Sequence, residues 1–184
     1  MNRSGFLRHA LDTLGTVNIA VEVGVWRGDF SNEMISILSP HNFYGVDPYR
    51  LHDDYGDCPD PVEYANQKNL DALYERVQSR YNRWAGAQLL RTTGVEAAQQ
   101  FADSSLDLVY IDGDHSYEFV SNDIRAWWPK IRPGGILSGH DYTPGNPQKG
   151  HIYGVIEAVT EHVDRHKLKL NTTTEQYATW WTVK

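Results

Sequence analysis

A single cysteine, Cys58, stands among 184 residues, so no disulfide can close within the chain and rigidity must come from packing. Basic residues are also in deficit: 17 Lys and Arg against 24 Asp and Glu leave a formal net charge of -7 at pH 7. A surface field of that sign repels polyanions, which excludes nucleic acid as a generic partner. Long apolar runs are missing as well. The N-terminal segment MNRSGFLRHALDTL has too short an apolar stretch for a signal peptide, and nothing elsewhere reads as a membrane span. The expectation is a cytoplasmic protein with no membrane partner. Internal repeats, low-complexity tracts and Pro/Gly/Ser linkers are absent too, which predicts one domain over residues 1–184. A domain of this size buries roughly 70% of the surface its unfolded chain exposes, so a metal site found in it would be functional rather than a folding aid.

What remains is an alternation of short apolar runs with amphipathic stretches, the pattern of an α/β fold. The runs Asn18–Val23, Asn42–Val46, Gln88–Arg91, Leu106–Ile111 and Gly135–Ser138 are bounded by Gly, Asp or Pro and read as buried parallel strands. Helices are predicted over Phe30–Leu38, capped by Asp29 or Ser31, and over Tyr64–Tyr81, Ser116–Ile131 and His151–His166. The third should end at the turn signal Arg132-Pro133-Gly134-Gly135. Lys167–Asn171 and Tyr177–Val183 are strand-like runs joined by only Thr172–Gln176, too short for a helical crossover, so they must pair antiparallel. The expected architecture is a doubly wound, Rossmann-like sheet of seven strands, mostly parallel, closed by a C-terminal antiparallel hairpin. Trp180 and Trp181 should pack on opposite faces of its last strand, and Tyr74, Tyr81 and Trp84 in the core or at a subunit contact.

Two long loops, 48–63 and 141–150, follow strands at the C-terminal edge of the sheet, where open α/β sheets bind ligands. At that edge the first strand ends in Glu22-Val23-Gly24-Val25-Trp26-Arg27-Gly28 and runs into a helix, offering glycine backbone and free N–H groups to a ligand. Asp47, ending the second strand, stands where an acidic side chain accepts hydrogen bonds from ribose hydroxyls. A nicotinamide enzyme would show GxGxxG, whereas bulky Trp26 stands where a further glycine belongs. The fourth strand delivers Asp112-Gly113-Asp114-His115 to the same edge, and the fifth delivers His140-Asp141. Asp114 reads as a cap for the following helix. Asp112 and Asp141, at the ends of adjacent parallel strands, would repel each other unless a cation or proton lay between them. Oxygen ligands favour Mg²⁺ or Mn²⁺ there, and participation of His140 would tilt the choice toward a transition metal. His9, His41, His52, His151, His162 and His166 read as surface or packing residues.

Glu22, Gly24 and Gly28 match the acidic-x-Gly-x-x-x-Gly motif, and with the C-terminal hairpin the sequence resembles the class I S-adenosylmethionine-dependent methyltransferases. The stretches VEVGVWRGDFS, FYGVDPY and LVYIDGDHSYEFVSNDIRAWWPKIRPGGILSGHDY are similar to a small bacterial group that includes macrolide sugar O-methyltransferases, methyltransferase family 24-like proteins. The resemblance implies that Glu22, Gly24, Val25, Trp26 and Gly28 border the methionine end of S-adenosylmethionine, that Asp47 holds its ribose, and that Gly94 and Val95 border its adenine. It further implies that Asp112 lies against both cofactor and substrate, that a metal at Asp112 and Asp141 binds substrate hydroxyls, and that His115 is the general base, a role imidazole suits near neutral pH. His140 and Tyr142 flank Asp141 where relatives often carry a second carboxylate or an Asn, and His140 is a further candidate as metal ligand or substrate contact. The expected activity is O-methylation of a small hydroxylated molecule such as a sugar or polyol. The competing expectations are a noncatalytic nucleotide-binding domain, an NAD-linked oxidoreductase, and methylation at nitrogen or carbon. With the strands running from about Ile19 to the last residues, the acceptor should be bound by the two loops, the N-terminal helix or a neighbouring subunit of a homo-oligomer.

Overall fold

The computed structural model describes residues 1–51, 65–146 and 151–184. Helix α1 (Arg3–Leu14) opens the chain, followed by β1 (Ile19–Val23), α2 (Asp29–Leu38), β2 (Asn42–Val46), α3 (Gln67–Tyr81), β3 (Ala87–Leu90), α4 (Gly94–Ala98) and β4 (Leu106–Ile111). Then come α5 (Tyr117–Trp127), β5 (Ile131–Gly139), a ribbon of β6 (Gly145–Asn146) and β7 (His151–Ile152), α6 (Val155–His166), β8 (Asn171–Thr172) and β9 (Trp180–Val183). The seven-stranded sheet has the order β3-β2-β1-β4-β5-β9-β8. The first five strands are parallel, and β9 runs antiparallel to both β5 and β8, as the sequence predicts.

Side chains alternate between two cores because successive strand residues point to opposite faces. Ala20, Phe43, Leu108, Tyr110, Ile136 and Trp181 pack with α1, α2 and α3 on one face, while Val21, Val46, Val109, Leu137 and Trp180 pack with α4, α5 and α6 on the other. Trp180 and Trp181 thus divide between the layers, and Tyr74, Tyr81 and Trp84 join the first core. The strand order reverses between β1 and β4, so the chains leaving them diverge and open a crevice at their C-terminal ends.

Several boundaries differ from the sequence reading, each for a local reason. Helix α5 stops at Trp127, and Trp128–Lys130 tighten into a 3₁₀ turn around Pro129, which has no N–H to donate. The Pro133-Gly134 pair does not end a helix before a strand; it is a bulge inside β5, for the pairing jumps from Leu106↔Ile131 to Leu108↔Ile136. Asp107 fastens this bulge to β1, accepting from Arg132 Nε (2.7 Å) and from the amides of Asn18 and Ile19 (2.8 Å each). The last helix starts at Val155 rather than His151, because Gly154 must pass against the start of α5: a Cβ there would lie 2.2 Å from the amide nitrogen of Tyr117. Neither Asp29 nor Ser31 caps α2, whose N-cap is Gly28. The helix predicted from Tyr64 begins at Gln67, with Asn66 as its cap, and Tyr64 lies outside the described residues. Both hairpin strands are shorter than predicted. Helix α4, only five residues held by a Thr93/Glu96 capping box, is too short to show a periodic apolar face in the sequence.

Ser31 instead serves a buried chain. Tyr81 Oη donates to Ser31 Oγ (2.8 Å), and Ser31 Oγ donates to the Glu22 carboxyl, tying β1 to α2 and α3. Burial raises the pKa of Glu22 to about 8, against the hydrogen bond from Ser31 and the charge of Arg3, so the acid is protonated at neutral pH. The folded state therefore holds a proton that the unfolded chain releases, and this contribution to stability is complete below the ordinary value of 4.5 and lost as pH rises through about 8. Glu22→Gln should flatten the decline of the thermal midpoint over that range; an unchanged pH profile would refute the assignment. Separately, Trp180→Ala should lower the urea-unfolding free energy by about 3–5 kcal/mol by opening a cavity under α5 and α6.

Candidate functional site

The residues that end the strands are held by one more rung of the ladder. Gly24 N–H donates to Val46 O (2.8 Å), Asp47 N–H to Leu90 O (3.1 Å), Asp112 N–H to Val23 O (2.7 Å) and His140 N–H to Ile111 O (3.0 Å). Four parallel strands thereby present their first post-strand residues on rigid backbone. Above them opens a cavity of about 960 Å³. Of the sequence-predicted site residues, Glu22, Gly24, Val25, Trp26, Asp47, Gly94, Val95, Asp112, His115, His140 and Asp141 all line it. Gly28 does not: with φ +73 it closes the turn into α2, its N–H donating to Val25 O (2.9 Å).

Two of these residues also hold the structure around them. Gly24 (φ +90) is required by its neighbour whether or not a ligand is bound, since a Cβ there would lie 2.1 Å from the carbonyl oxygen of Asp112. Asp47 is buried and binds backbone: its Oδ2 accepts from the amides of Val25 (3.1 Å) and Trp26 (2.9 Å), its Oδ1 from that of Tyr49 (2.8 Å). Trp26 (φ +48) and Tyr49 (φ +41) are both left-handed, and Tyr49 Oη donates to Trp26 O (2.8 Å), so one carboxylate and one phenol lock two strained turns. These bonds use three of the carboxylate's roughly four acceptor sites and leave one for a hydroxyl. Burial raises the pKa of Asp47, opposed by those amides.

The opposite wall carries the charge. Asp141 (φ +55) receives His115 Nε2 and His140 Nδ1, each 3.0 Å from its Oδ2. Burial would raise its pKa, but the two imidazoles more than offset this and hold the carboxylate well below its ordinary range. Asp112 is paired with the guanidinium of Arg3, which the sequence reading did not single out. Arg3 also lies 3.5 Å over the ring of Phe30. Nothing in the local sequence marks Arg3, since its partner is 109 positions away. Asp114 does not cap α5 as the sequence predicts: the N-cap is Ser116, which makes no side-chain cap bond, and Asp114 accepts from the amide of Ser116 itself (2.7 Å) in the turn before the helix.

Among the described residues Asp112, His115 and Asp141 have ligand atoms within 4.8 Å of one another, and His140 Nδ1 lies 3.7 Å from Asp112 Oδ1 and 3.0 Å from Asp141 Oδ2. These residues do not fit a resident divalent ion well. The guanidinium of Arg3 already neutralises Asp112, and Oδ2 of Asp141 already faces two imidazoles.

The crevice between α4 and α5 has a different character. Val95 (40% exposed) and Phe119 (41%) are apolar side chains left open on the cavity wall, next to Asp123, whose carboxyl has no hydrogen-bond partner among the described residues. Burial and the charge of Asp114 raise its pKa to about 7. A flat apolar slot with a hydrogen-bond acceptor fits a purine bearing an amino group, so the cavity suits a nucleoside at this end and the Asp47 carboxylate suits its ribose. Of the two long loops, Pro48, Arg50 and Asp141 line the cavity, while residues 52–64 and 147–150 lie outside the described part. Tyr153 and Tyr177 complete the wall, the former with its ring centroid 4.4 Å from that of His115.

Among the described residues no helix is long and apolar enough to cross a membrane. A family model described as a methyltransferase domain matches residues 21–142. The uncharacterized protein y4gI of Sinorhizobium fredii is 36% identical over 72 residues, which are 39% of this chain and only 8% of that protein. Among solved structures, a Corynebacterium glutamicum protein is similar over 100% of this chain and 82% of its own (TM-score 0.64, 15% identity). An O-methyltransferase family protein from Burkholderia thailandensis is similar over 98% and 55% (TM-score 0.66, 9% identity). The N-methyltransferase NodS from Bradyrhizobium japonicum, in complex with S-adenosyl-l-homocysteine, is similar over 98% and 83% (TM-score 0.61, 15% identity). At such identities the structural likeness is one of fold, and it agrees with the strand order found here. The match through β1, β2, β4 and β5, on a sheet of this topology, shows that the chain belongs to the methyltransferase-domain family, the class I S-adenosylmethionine-dependent methyltransferases.

Proposed function

We propose that this methyltransferase domain moves the methyl group of S-adenosylmethionine to a hydroxyl oxygen of a small molecule, a sugar or polyol, with His115 as general base. The observation that carries the reading is the His115–Asp141 pair on the cavity wall (Nε2 to Oδ2, 3.0 Å). With Nε2–H donated to Asp141, the ring lone pair lies on Nδ1, and the carboxylate stabilises the imidazolium that forms when that atom takes a proton. A hydroxyl needs such a base, because its oxygen is a weak nucleophile until the proton leaves. A neutral amine has its lone pair at hand, so nitrogen acceptors have less use for the pair.

S-adenosylmethionine supplies, when bound, a methyl carbon activated by a positive sulfur. The protein's part is to hold and deprotonate. Val95, Phe119 and Asp123 bind the purine, Asp47 the ribose, and the turn Gly24-Val25-Trp26 borders the methionine end. The acceptor oxygen forms its bond to the methyl carbon as the methyl–sulfur bond breaks, the electron pair staying on sulfur, and the hydroxyl proton moves to His115 Nδ1. Alignment of the three atoms in the cavity accounts for most of the acceleration. One cavity of about 960 Å³ must accommodate donor and acceptor together, which favours a small acceptor. The likeness to an O-methyltransferase family protein supports the choice of oxygen, while the N-methyltransferase NodS makes amines the comparison to run.

The test is methyl transfer from labelled S-adenosylmethionine to a panel of sugars, polyols and amines. His115→Ala and His115→Asn should lower kcat on the hydroxylated acceptor by about 10²–10⁴-fold, with calorimetric affinity for the cofactor unchanged. Turnover of amines alone, or full activity in both variants, would overturn the reading. Asp123→Ala should do the reverse, weakening cofactor binding while leaving kcat at saturation nearly intact; unchanged affinity would remove Asp123 from the purine slot.

A further inference from the structure

We propose that Arg3 is the resident cation at Asp112: its guanidinium occupies the carboxylate that a divalent ion shared with Asp141 would need, and methyl transfer here is independent of metal. The proposal rests on the methyltransferase reading above and adds a positioning residue to it.

Asp112 and Asp141 follow β4 and β5, which are in register at Ile111↔Gly139, so two carboxylates are forced together by the sheet itself. Such a pair needs positive charge. At Asp112 Arg3 provides it, as a built part of the fold rather than as a loose tail, while two imidazoles face Asp141. Asn2 caps α1, its side chain accepting from the amide of Gly5 (3.0 Å), and Phe6, Leu7 and Ala10 are completely buried on the first core. Phe6 packs on Trp181 with ring centroids 5.2 Å apart. The backbone N–H of Arg3 donates to Glu175 (3.2 Å) on the segment joining β8 to β9. The guanidinium is then clamped between the ring of Phe30 and the carboxylate of Asp112, with Tyr110 5.1 Å away. Its Nε is buried without a hydrogen-bond partner among the described residues, an arrangement that a purely structural surface arginine would avoid.

A metal and this guanidinium cannot share Asp112 without strong like-charge repulsion. The same guanidinium, facing the cavity from the side of Asp112, can donate to the acceptor's oxygens and so orient the hydroxyl beside His115. Arginine's planar fork and permanent charge suit it to that task better than lysine.

The experiment titrates Mn²⁺ into the full chain, read by electron paramagnetic resonance, for wild type, Arg3→Met, which keeps apolar contact with Phe30, and Arg3→Met combined with Asp112→Asn. Thermal midpoints confirm that each variant is folded. Wild type should bind Mn²⁺ no better than the double variant, and Arg3→Met should gain affinity of about tenfold or more. In parallel, wild-type turnover should be indifferent to EDTA, and Arg3→Met should raise the acceptor KM while cofactor affinity stays the same. Tight Mn²⁺ binding by wild type, activity lost on chelation and restored by Mn²⁺, or no gain of Mn²⁺ in Arg3→Met would each overturn the proposal. The Mn²⁺ arm reads out whether or not an acceptor has been found, and calorimetry with S-adenosylmethionine separates its failure from failure of the methyltransferase reading.

Discussion

Seven carboxyl groups line a single cavity at the edge of the sheet, among them those of Glu22, Asp47, Asp112, Asp123 and Asp141, and carboxylates withdrawn from water are stable only if something holds their charge. The structure answers differently for each. Glu22 keeps its proton, Asp47 is surrounded by backbone amides, Asp112 takes Arg3, and Asp141 takes two imidazoles. Only Asp123 is left without a hydrogen-bond partner among the described residues. The seating of α1, the paths of the first two turns and the placement of His115 all follow from meeting this constraint.

The turns illustrate how strain and function coincide. Trp26, Tyr49 and Asp141 all adopt left-handed backbone just beyond the ends of β1, β2 and β5, where L-residues are disfavoured by about 1 kcal/mol or more. Asp47 over-determines two of the three by bonding their amides, and pairing with His115 and His140 fixes the third. A site so held changes little when a ligand enters, which is what alignment of reacting atoms demands.

Much of this was legible in the chain. The strands could be read because apolar runs flanked by Gly, Asp and Pro have few other uses, and the antiparallel closure followed from a linker too short to cross over. Glu22, Asp47, Asp112, His115, His140 and Asp141 were found because each ends a strand or closely follows one, and strand ends are what a periodic pattern locates best. Local cues misled where tertiary context overrode them. Pro133-Gly134 reads as a stop but is a bulge, and Asp29 and Ser31 read as helix caps although the N-cap of α2 is Gly28. Arg3 was invisible because its meaning depends on a partner in β4's wake, a pairing no local pattern encodes. The need for a cation at Asp112 was nonetheless readable; only its source was not.

The seating of Arg3 has a consequence for whatever precedes it in a longer chain. Met1 and Asn2 are exposed, and the carbonyl of Met1 accepts from the amide of Thr174, three residues before the cavity-lining Tyr177. Sequence joined there would leave the domain beside the cavity. A tethered segment at that point would sample the opening at an effective concentration in the millimolar range for a short flexible linker. A neighbouring domain attached through this end would thus be a privileged source of acceptors, or of a segment that competes with them, without any contact surface of its own.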